Sequence, residues 1–249
     1  AYHEDTGWGI IAVADGAGSA KYSRKGSEIA CDTITAFFRD MEKEKLREIE
    51  TAIQDFLSEE TDDSQKKLSG LLGKQLLEAA FAAQQHIKAE ADRKGADIRD
   101  YATTLIFALI KKYGDKYLIA SFWVGDGGIG IYNRDKNEVA VLGTPDSGEH
   151  AGQTRFLTMG EIFADDSVYS RAKLTVVEDF TALILMTDGI ADPKFQTDTN
   201  LHKPEKWHEL WDDLHGNNEE GRKVGFEKPM EEAERDLMAW LDFWSPILY

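Results

Sequence analysis

The sequence predicts an α+β sandwich whose antiparallel sheets carry helices on their outer faces. Apolar residues recur at helical spacing through most of residues 26–93, give way to short β-rich runs between 103 and 188, and return to helical spacing after 200. Short polar turns join the β-rich runs, and such turns connect antiparallel rather than parallel neighbours. At 249 residues the chain can bury a large core as a single domain, residues 1–249, and no linker, repeat or low-complexity tract divides it.

Taken in order, residues 8–14 read as a strand and 15–24 as a loop. From Gly26 to about Met41, Ile29, Ala30, Ile34, Phe37, Phe38 and Met41 follow a helical period. A mixed-charge helix is expected over 43–57, and "TDDSQ" at 61–65 offers N-caps for a helix running to about 93. Its buried stripe is Leu72, Leu76, Ala79, Ala80, Ala83 and Ile87. The runs "TTLIFALIKK", "KYLIASFWVG", "GIGIYN" and "EVAVLG" then predict four strands in an antiparallel meander, with "KYGDK" and "NRDKN" as turns. Further strands are expected at 172–177 and 181–188. Two helices close the pattern, one with Trp207, Leu210, Trp211 and Leu214 on a face and one with Met230, Ala233, Leu237, Trp240, Leu241 and Trp244. Pro229 suits the first turn of the latter. The tryptophan pairs 207/211 and 240/244 stand one helical turn apart, as packing residues do.

Composition narrows the function. A net charge of −17 disfavours nucleic acid and anionic membrane surfaces as partners, because phosphate groups bind basic patches. With no apolar run long enough to span a bilayer and no signal-type segment, a cytoplasmic location is expected. The single cysteine, Cys31, sits in "SEIACDTITAFF" and reads as a small buried hydrophobe rather than a nucleophile.

Three aspartates share one pattern, an apolar strand followed by Asp and then Gly: Asp15 in "IIAVADGAG", Asp126 in "FWVGDGG" and Asp188 in "LILMTDGIAD". A single Asp-Gly is an ordinary turn signal, and three unrelated turns is the plain alternative. If the strand ends converge, they form an oxygen-rich cage suited to hard divalent cations such as Mg²⁺ or Mn²⁺. Carboxylates gathered without a cation would repel one another, so bound metal resolves the pattern. Other motifs are weaker. "GDGGIG" matches GxGxxG but runs into the strand-like "IYN" instead of a helix. His202, His208 and His215 are spaced by six and seven, unlike common zinc pairs.

The ordered strings "VADGAGS", "ATTLIFAL", "FWVGDGGIGIYN" and "LILMTDGIAD" resemble the PPM family, the metal-dependent type 2C serine/threonine protein phosphatases, over residues 8 to about 192. The resemblance implies a four-layer α/β/β/α sandwich of two antiparallel sheets, with a two-metal centre at one edge. It implies Asp15 as the carboxylate bridging two Mn²⁺ or Mg²⁺ ions, Gly16 as a ligand through water, and Asp188 as a ligand of the second ion. Asp126 and Asp192 match positions that hold a third, weaker metal in some members. Asp15 and Asp188 would thus be the catalytic pair, serving a water that attacks phosphorus in line without a phosphoenzyme, the two ions about 3.5 to 4 Å apart.

The sequence also departs from the family pattern. An arginine that binds phosphate and an acidic pair normally precede the first Asp-Gly, whereas here only "HED" does, with Glu4 and Asp5 expected in a hairpin turn. Members also end with an Asn-Asp or Asp-Asp motif, whereas this sequence stops at "FWSPILY"; residues absent before Ala1 and between Pro246 and Ile247, with "ILY" as the remnant of a final strand, are expected to account for both departures. Ala17 stands where some members carry a histidine. The expected function is a phosphoprotein phosphatase acting on a phosphorylated protein substrate and associated with a serine/threonine kinase. The alternatives are a pseudophosphatase that binds phosphoproteins without hydrolysis, and an acidic structural domain. With mainly Asp15 and Asp188 available, the 249-residue sequence is expected to hold at most one metal tightly and to be nearly inactive, while a form with both segments restored is expected to be active.

Overall fold

The computed structural model describes residues 2–3, 6–146, 154–218 and 221–244, and these form four layers. A five-stranded antiparallel sheet runs in the order β1 (Tyr2–His3), β2 (Trp8–Val13), β3 (Leu105–Tyr113), β4 (Lys116–Val124), β7 (Ala172–Val177). It faces a three-stranded antiparallel sheet in the order β6 (Glu138–Gly143), β5 (Gly128–Asn133), β8 (Ala182–Met186). Helices α1 (Ser23–Arg39), α2 (Lys43–Ser58) and α3 (Asp62–Lys94) cover the first sheet. The second is covered by α4 (Asp188–Phe195), α5 (Pro204–Leu214) and α6 (Met230–Trp244). The α+β class and the two helix-flanked antiparallel sheets expected from the sequence are therefore present.

The long helix α3 shows how local sequence sets an element. Thr61 caps its start: the Thr61 hydroxyl accepts from the Ser64 amide at 3.2 Å, while the Ser64 hydroxyl accepts from the Thr61 amide at 3.1 Å. Leu68, Leu72, Leu76, Ala79, Ala80, Ala83, Ile87 and Ala91 lie buried along one stripe, which includes every position predicted for it. The three alanines in its middle leave little side chain between this helix and its neighbours.

Strand β3 shows how one segment serves two cores. Leu105, Phe107 and Leu109 point into the layer beneath α1–α3, packing with Ile10, Leu118 and Phe122. Ile106 and Ala108 point the other way, into the space between the sheets, with Ile119, Trp123, Ile129, Ile131 and Leu142. Period-two alternation places apolar residues on both faces, so the strand reads as an unbroken apolar run. A third core lies between the smaller sheet and α4–α6, centred on Tyr132, Phe195, Trp207, Leu210 and Trp240.

The expected four-strand meander is divided. β3 pairs with β4 from Leu105↔Val124 to Tyr113↔Lys116, and β5 pairs with β6, but β4 and β5 belong to different sheets. The chain changes sheets at Gly125–Gly127, passing so close to the end of β8 that a Cβ on Gly127 would lie 2.2 Å from the Met186 carbonyl oxygen. β4 takes β7 as its second neighbour and β5 takes β8.

Smaller differences concern boundaries. α1 begins at Ser23 inside the expected loop, and the strand expected over 181–188 ends at Met186 because α4 starts at Asp188. β1 pairs with the start of β2, while Glu4 and Asp5, the expected turn, lie outside the described residues. Trp207 and Trp240 are buried as expected, and the Trp244 side chain lies outside the described residues. Cys31 is only half-buried; burial, then the charge of Asp32, push its thiol up to about 11, which leaves it a poor nucleophile at neutral pH.

Candidate metal centre

Each of the three Asp-Gly motifs sits where the chain leaves a strand. Asp15 follows β2 of the larger sheet, Asp126 lies in the crossing between sheets, and Asp188 follows β8 of the smaller sheet. The sandwich thereby brings contributions from both sheets to one rim.

Asp15 is fixed through its backbone by the threonine pair that precedes β3. Its amide donates to the Thr104 hydroxyl at 2.9 Å, and its carbonyl accepts from the Thr104 amide at 2.8 Å and from the Thr103 hydroxyl at 3.0 Å. Both threonines are buried. The Ala17 amide donates to the Ala102 carbonyl at 2.9 Å, so the segment after β2 stays aligned with the approach to β3. Gly16 is held against the first turn of α1, where a Cβ would come within 2.6 Å of the Ser23 carbonyl carbon. These contacts hold the backbone and leave the Asp15 carboxyl unused by them.

That carboxyl meets Asp188. Burial of the group, then a hydrogen bond to the Asp188 side chain and the Asp188 charge, push Asp15 up to about 6; the Gly16 amide acts in the opposite direction and Asp126 adds a smaller upward push. Asp188 opens α4, where the helix dipole favours an anion, and its carboxylate accepts from the Gly189 amide at 2.8 Å. Asp192, one turn further along α4, is raised by burial and then by the charges of Asp188, Asp126 and Asp198. Asp126 accepts a short hydrogen bond from the Thr154 hydroxyl. The charges of Asp126 and Asp188 thus act on both Asp15 and Asp192.

These donors fit a hard cation in kind, since all are oxygens and Asp188 acts on the buried Asp15 carboxyl as a like charge. In number they are sparse. Among the described residues no three His, Cys, Asp or Glu side chains are gathered closely enough to hold an ion. Of the expected residues, Asp15 and Asp188 are the nearest to each other, with the charge of Asp126 acting on Asp15, that of Asp188 acting on Asp192, and Gly16 next to Asp15.

Sequence reasoning missed the groups that position these carboxyls. Thr103 and Thr104 were visible only as part of an apolar string, although two threonines directly before a buried strand are a signal for side-chain bonding to backbone. Thr154 had no signal, because it reaches Asp126 across 28 residues. The histidines play other parts. His208 Nδ1 pairs with the Tyr132 hydroxyl at 2.9 Å, and His215 Nδ1 lies 2.7 Å from the Trp211 carbonyl.

The family model described as Protein phosphatase 2C matches residues 1–242. No curated protein matches the chain. Among solved structures, it is similar to PppA, a regulatory component of the type VI secretion system in Pseudomonas aeruginosa, at 16% identity and a TM-score of 0.45, over 98% of this chain and 84% of that one. A serine/threonine phosphatase of S. agalactiae is similar at 14% identity and a TM-score of 0.48, over 98% and 85%. The catalytic domain of the serine/threonine phosphatase PstP, in complex with two manganese ions, is similar at 16% identity and a TM-score of 0.41, over 81% and 80%. The match of the family model to nearly the whole sequence places the chain in the protein phosphatase 2C family.

Proposed function

We propose that the protein is a phosphoprotein phosphatase that hydrolyses phosphoserine and phosphothreonine with Mn²⁺ or Mg²⁺ bound at the rim. The observation that carries this reading is the convergence of Asp15 and Asp188 from different sheets, near enough that burial and then the neighbouring Asp188 push the Asp15 carboxyl up to about 6. Asp15 and Asp188 would hold the metal, with Gly16 beside them and Asp126 and Asp192 as outer ligands. When bound, the metal supplies an acidified water and neutralises charge on the phosphoryl oxygens. The chain's own task is orientation. Thr103 and Thr104 keep the Asp15 backbone fixed, Thr154 fixes one Asp126 oxygen, and the Gly189 amide holds one Asp188 oxygen. The description of PstP with two manganese ions supports this choice of metal, as said of that protein.

The test is hydrolysis of p-nitrophenyl phosphate and of phosphoserine or phosphothreonine peptides. Turnover is expected with Mn²⁺ and abolished by EDTA. Turnover that persists in EDTA, or phosphate trapped covalently on the protein, overturns the reading. One observation favours a second reading, a pseudophosphatase that binds a phosphoprotein without cleaving it: the described residues gather no group of three metal-binding side chains. Retained phosphopeptide binding with no turnover at saturating Mn²⁺ would select it.

A further inference from the structure

Helix α4 carries Asp188 at its start and Asp192 one turn on, yet its own sequence holds it only weakly. It has eight residues, and Pro193 has no N–H to offer the Gly189 carbonyl. Helices this short are not stable by themselves in water. Ala191 and Phe195 are its buried side chains, and the strand that leads into it, β8, is half-buried from Ala182 to Leu185. Apolar contacts hold an element down without direction, so they leave its exact placement loose.

A directional contact lies at the far end of the helix. Lys194 donates to Asp213 of α5 at close range, with the two side chains 14% and 8% exposed. The other Asp213 oxygen accepts from the indole N–H of Trp240 in α6 at 3.4 Å, and the Lys194 ammonium lies 5.6 Å from the centre of the Trp240 ring. One buried carboxylate thus joins α4, α5 and α6. Asp213 is held in turn, because its backbone carbonyl accepts from the Asn218 side chain at 2.8 Å and its neighbours on the α5 face, Leu210 and Leu214, are buried in the core.

A hydrogen-bonded ion pair has a set length and direction, and removing either partner strands the other charge away from water. The pair therefore defines where the last turn of α4 lies. Six residues separate Lys194 from Asp188, about 9 Å along a helix, and a helix of two turns moves as one piece. Fixing Lys194 fixes Asp188.

We infer that Asp213 is a positioning residue for the metal centre: through Lys194 it sets α4, and with it the reach of Asp188 toward Asp15. The inference rests on the reading of Asp15 and Asp188 as metal ligands. Neither Lys194 nor Asp213 is itself a ligand in it.

The test is a double variant, Lys194→Met with Asp213→Leu, which replaces the pair by apolar groups and strands no charge. Its melting temperature should stay close to that of wild type, since such replacements commonly preserve stability. Calorimetry should nevertheless show Mn²⁺ bound about fivefold or more weakly. In the metal-free protein, α4 amides should exchange faster while those of β3 and β4 are unchanged. Wild-type Mn²⁺ affinity in the folded double variant overturns the inference and leaves the phosphatase reading intact. Faster exchange throughout β3 and β4 overturns it too, because the pair would then only support the fold. If the double variant fails to fold, Asp213→Glu, which keeps the charge and lengthens the arm, decides by the same comparison. Absence of Mn²⁺ binding in wild type removes the metal reading and the inference together. Asp213-dependent Mn²⁺ binding in a protein that hydrolyses no phosphomonoester leaves the inference standing and removes the phosphatase reading.

Discussion

The two halves of the sandwich are built to different standards of burial. In the half made by α1–α3 and the five-stranded sheet, β3 and β4 are enclosed on both faces, and Leu105, Phe107, Ala108, Ile119, Ala120 and Phe122 are buried. In the half made by the three-stranded sheet and α4–α6, β8 is only half-buried from Ala182 to Leu185. An apolar groove of about 680 Å³ runs beside β8, bordered by Ile11 and Val13 of the larger sheet and by Trp211, Phe226 and Trp240. The candidate metal site joins these unequal halves, with Asp15 on the well-enclosed side and Asp188 on the other. Stability and site assembly therefore draw on different parts of the molecule: β2 delivers Asp15 whether or not β8 is well ordered, whereas Asp188 depends on β8.

The largest effect is expected where the halves meet. Asp15→Asn should weaken Mn²⁺ binding by about 100-fold or more, since losing even a group that supports a metal ligand costs about 10- to 100-fold. The melting temperature of the metal-free protein should not fall, because the substitution removes one of two opposed carboxyls. Calorimetry and thermal melts check both halves of that statement, and unchanged Mn²⁺ affinity would take Asp15 out of the site.

The contrast in burial itself can be broken by a pair of truncations. Phe107→Ala, in the enclosed half, should cost about 3–5 kcal/mol of stability, whereas Leu183→Ala on half-buried β8 should cost less than half of that. Equal losses in urea denaturation would show that the halves are equally well packed. Hydrogen exchange sharpens the same point: amides of β3 and β4 should exchange more slowly than those of β8, and Mn²⁺ should slow exchange in α4.

A smaller effect belongs to the enclosed half and appears only at high pH. Below about 9 the Cys31 thiol keeps its proton in both folded and unfolded chains; as pH rises to about 11 the unfolded chain loses it first. Stability should fall across that window by about 2 kcal/mol, and Cys31→Ala should remove that part of the pH dependence. The smallest effect is at the α3 cap, where Thr61→Ala should cost about 1 kcal/mol without affecting Mn²⁺ binding.

Legibility in the sequence follows the same physical divide. Elements set by local chemistry were readable. The α3 cap and stripe were legible, as were the strand cores from 105 to 143 and the placement of Asp15, Asp126 and Asp188 at strand exits. What depends on distant pairing was not. Nothing local distinguishes a turn that keeps β4 and β5 in one sheet from one that moves the chain across, because the choice rests on β4 finding β7 and β5 finding β8, some 50 residues later. α4 escaped detection because eight residues containing Pro193 show little period. At the site, the carboxyls were legible by their repeated Asp-Gly context, while Thr154 was not, since its bond to Asp126 exists only after the chain has folded.

The double duty of β3 bears on how this protein can change over evolutionary time. Its odd and even positions face separate interiors, so each face can drift with its own neighbours, and a substitution at Phe107 is answered from Phe122 or Phe38 while Ile106 is left alone. A length change is another matter. One inserted or deleted residue within β3 would turn Leu105, Phe107 and Leu109 toward the opposite sheet and move Thr103 and Thr104 out of step with Asp15. Lineages of this chain should therefore tolerate point substitutions along β3 and confine insertions to the connections, because a single frame error there would cost both interiors and the metal site at once.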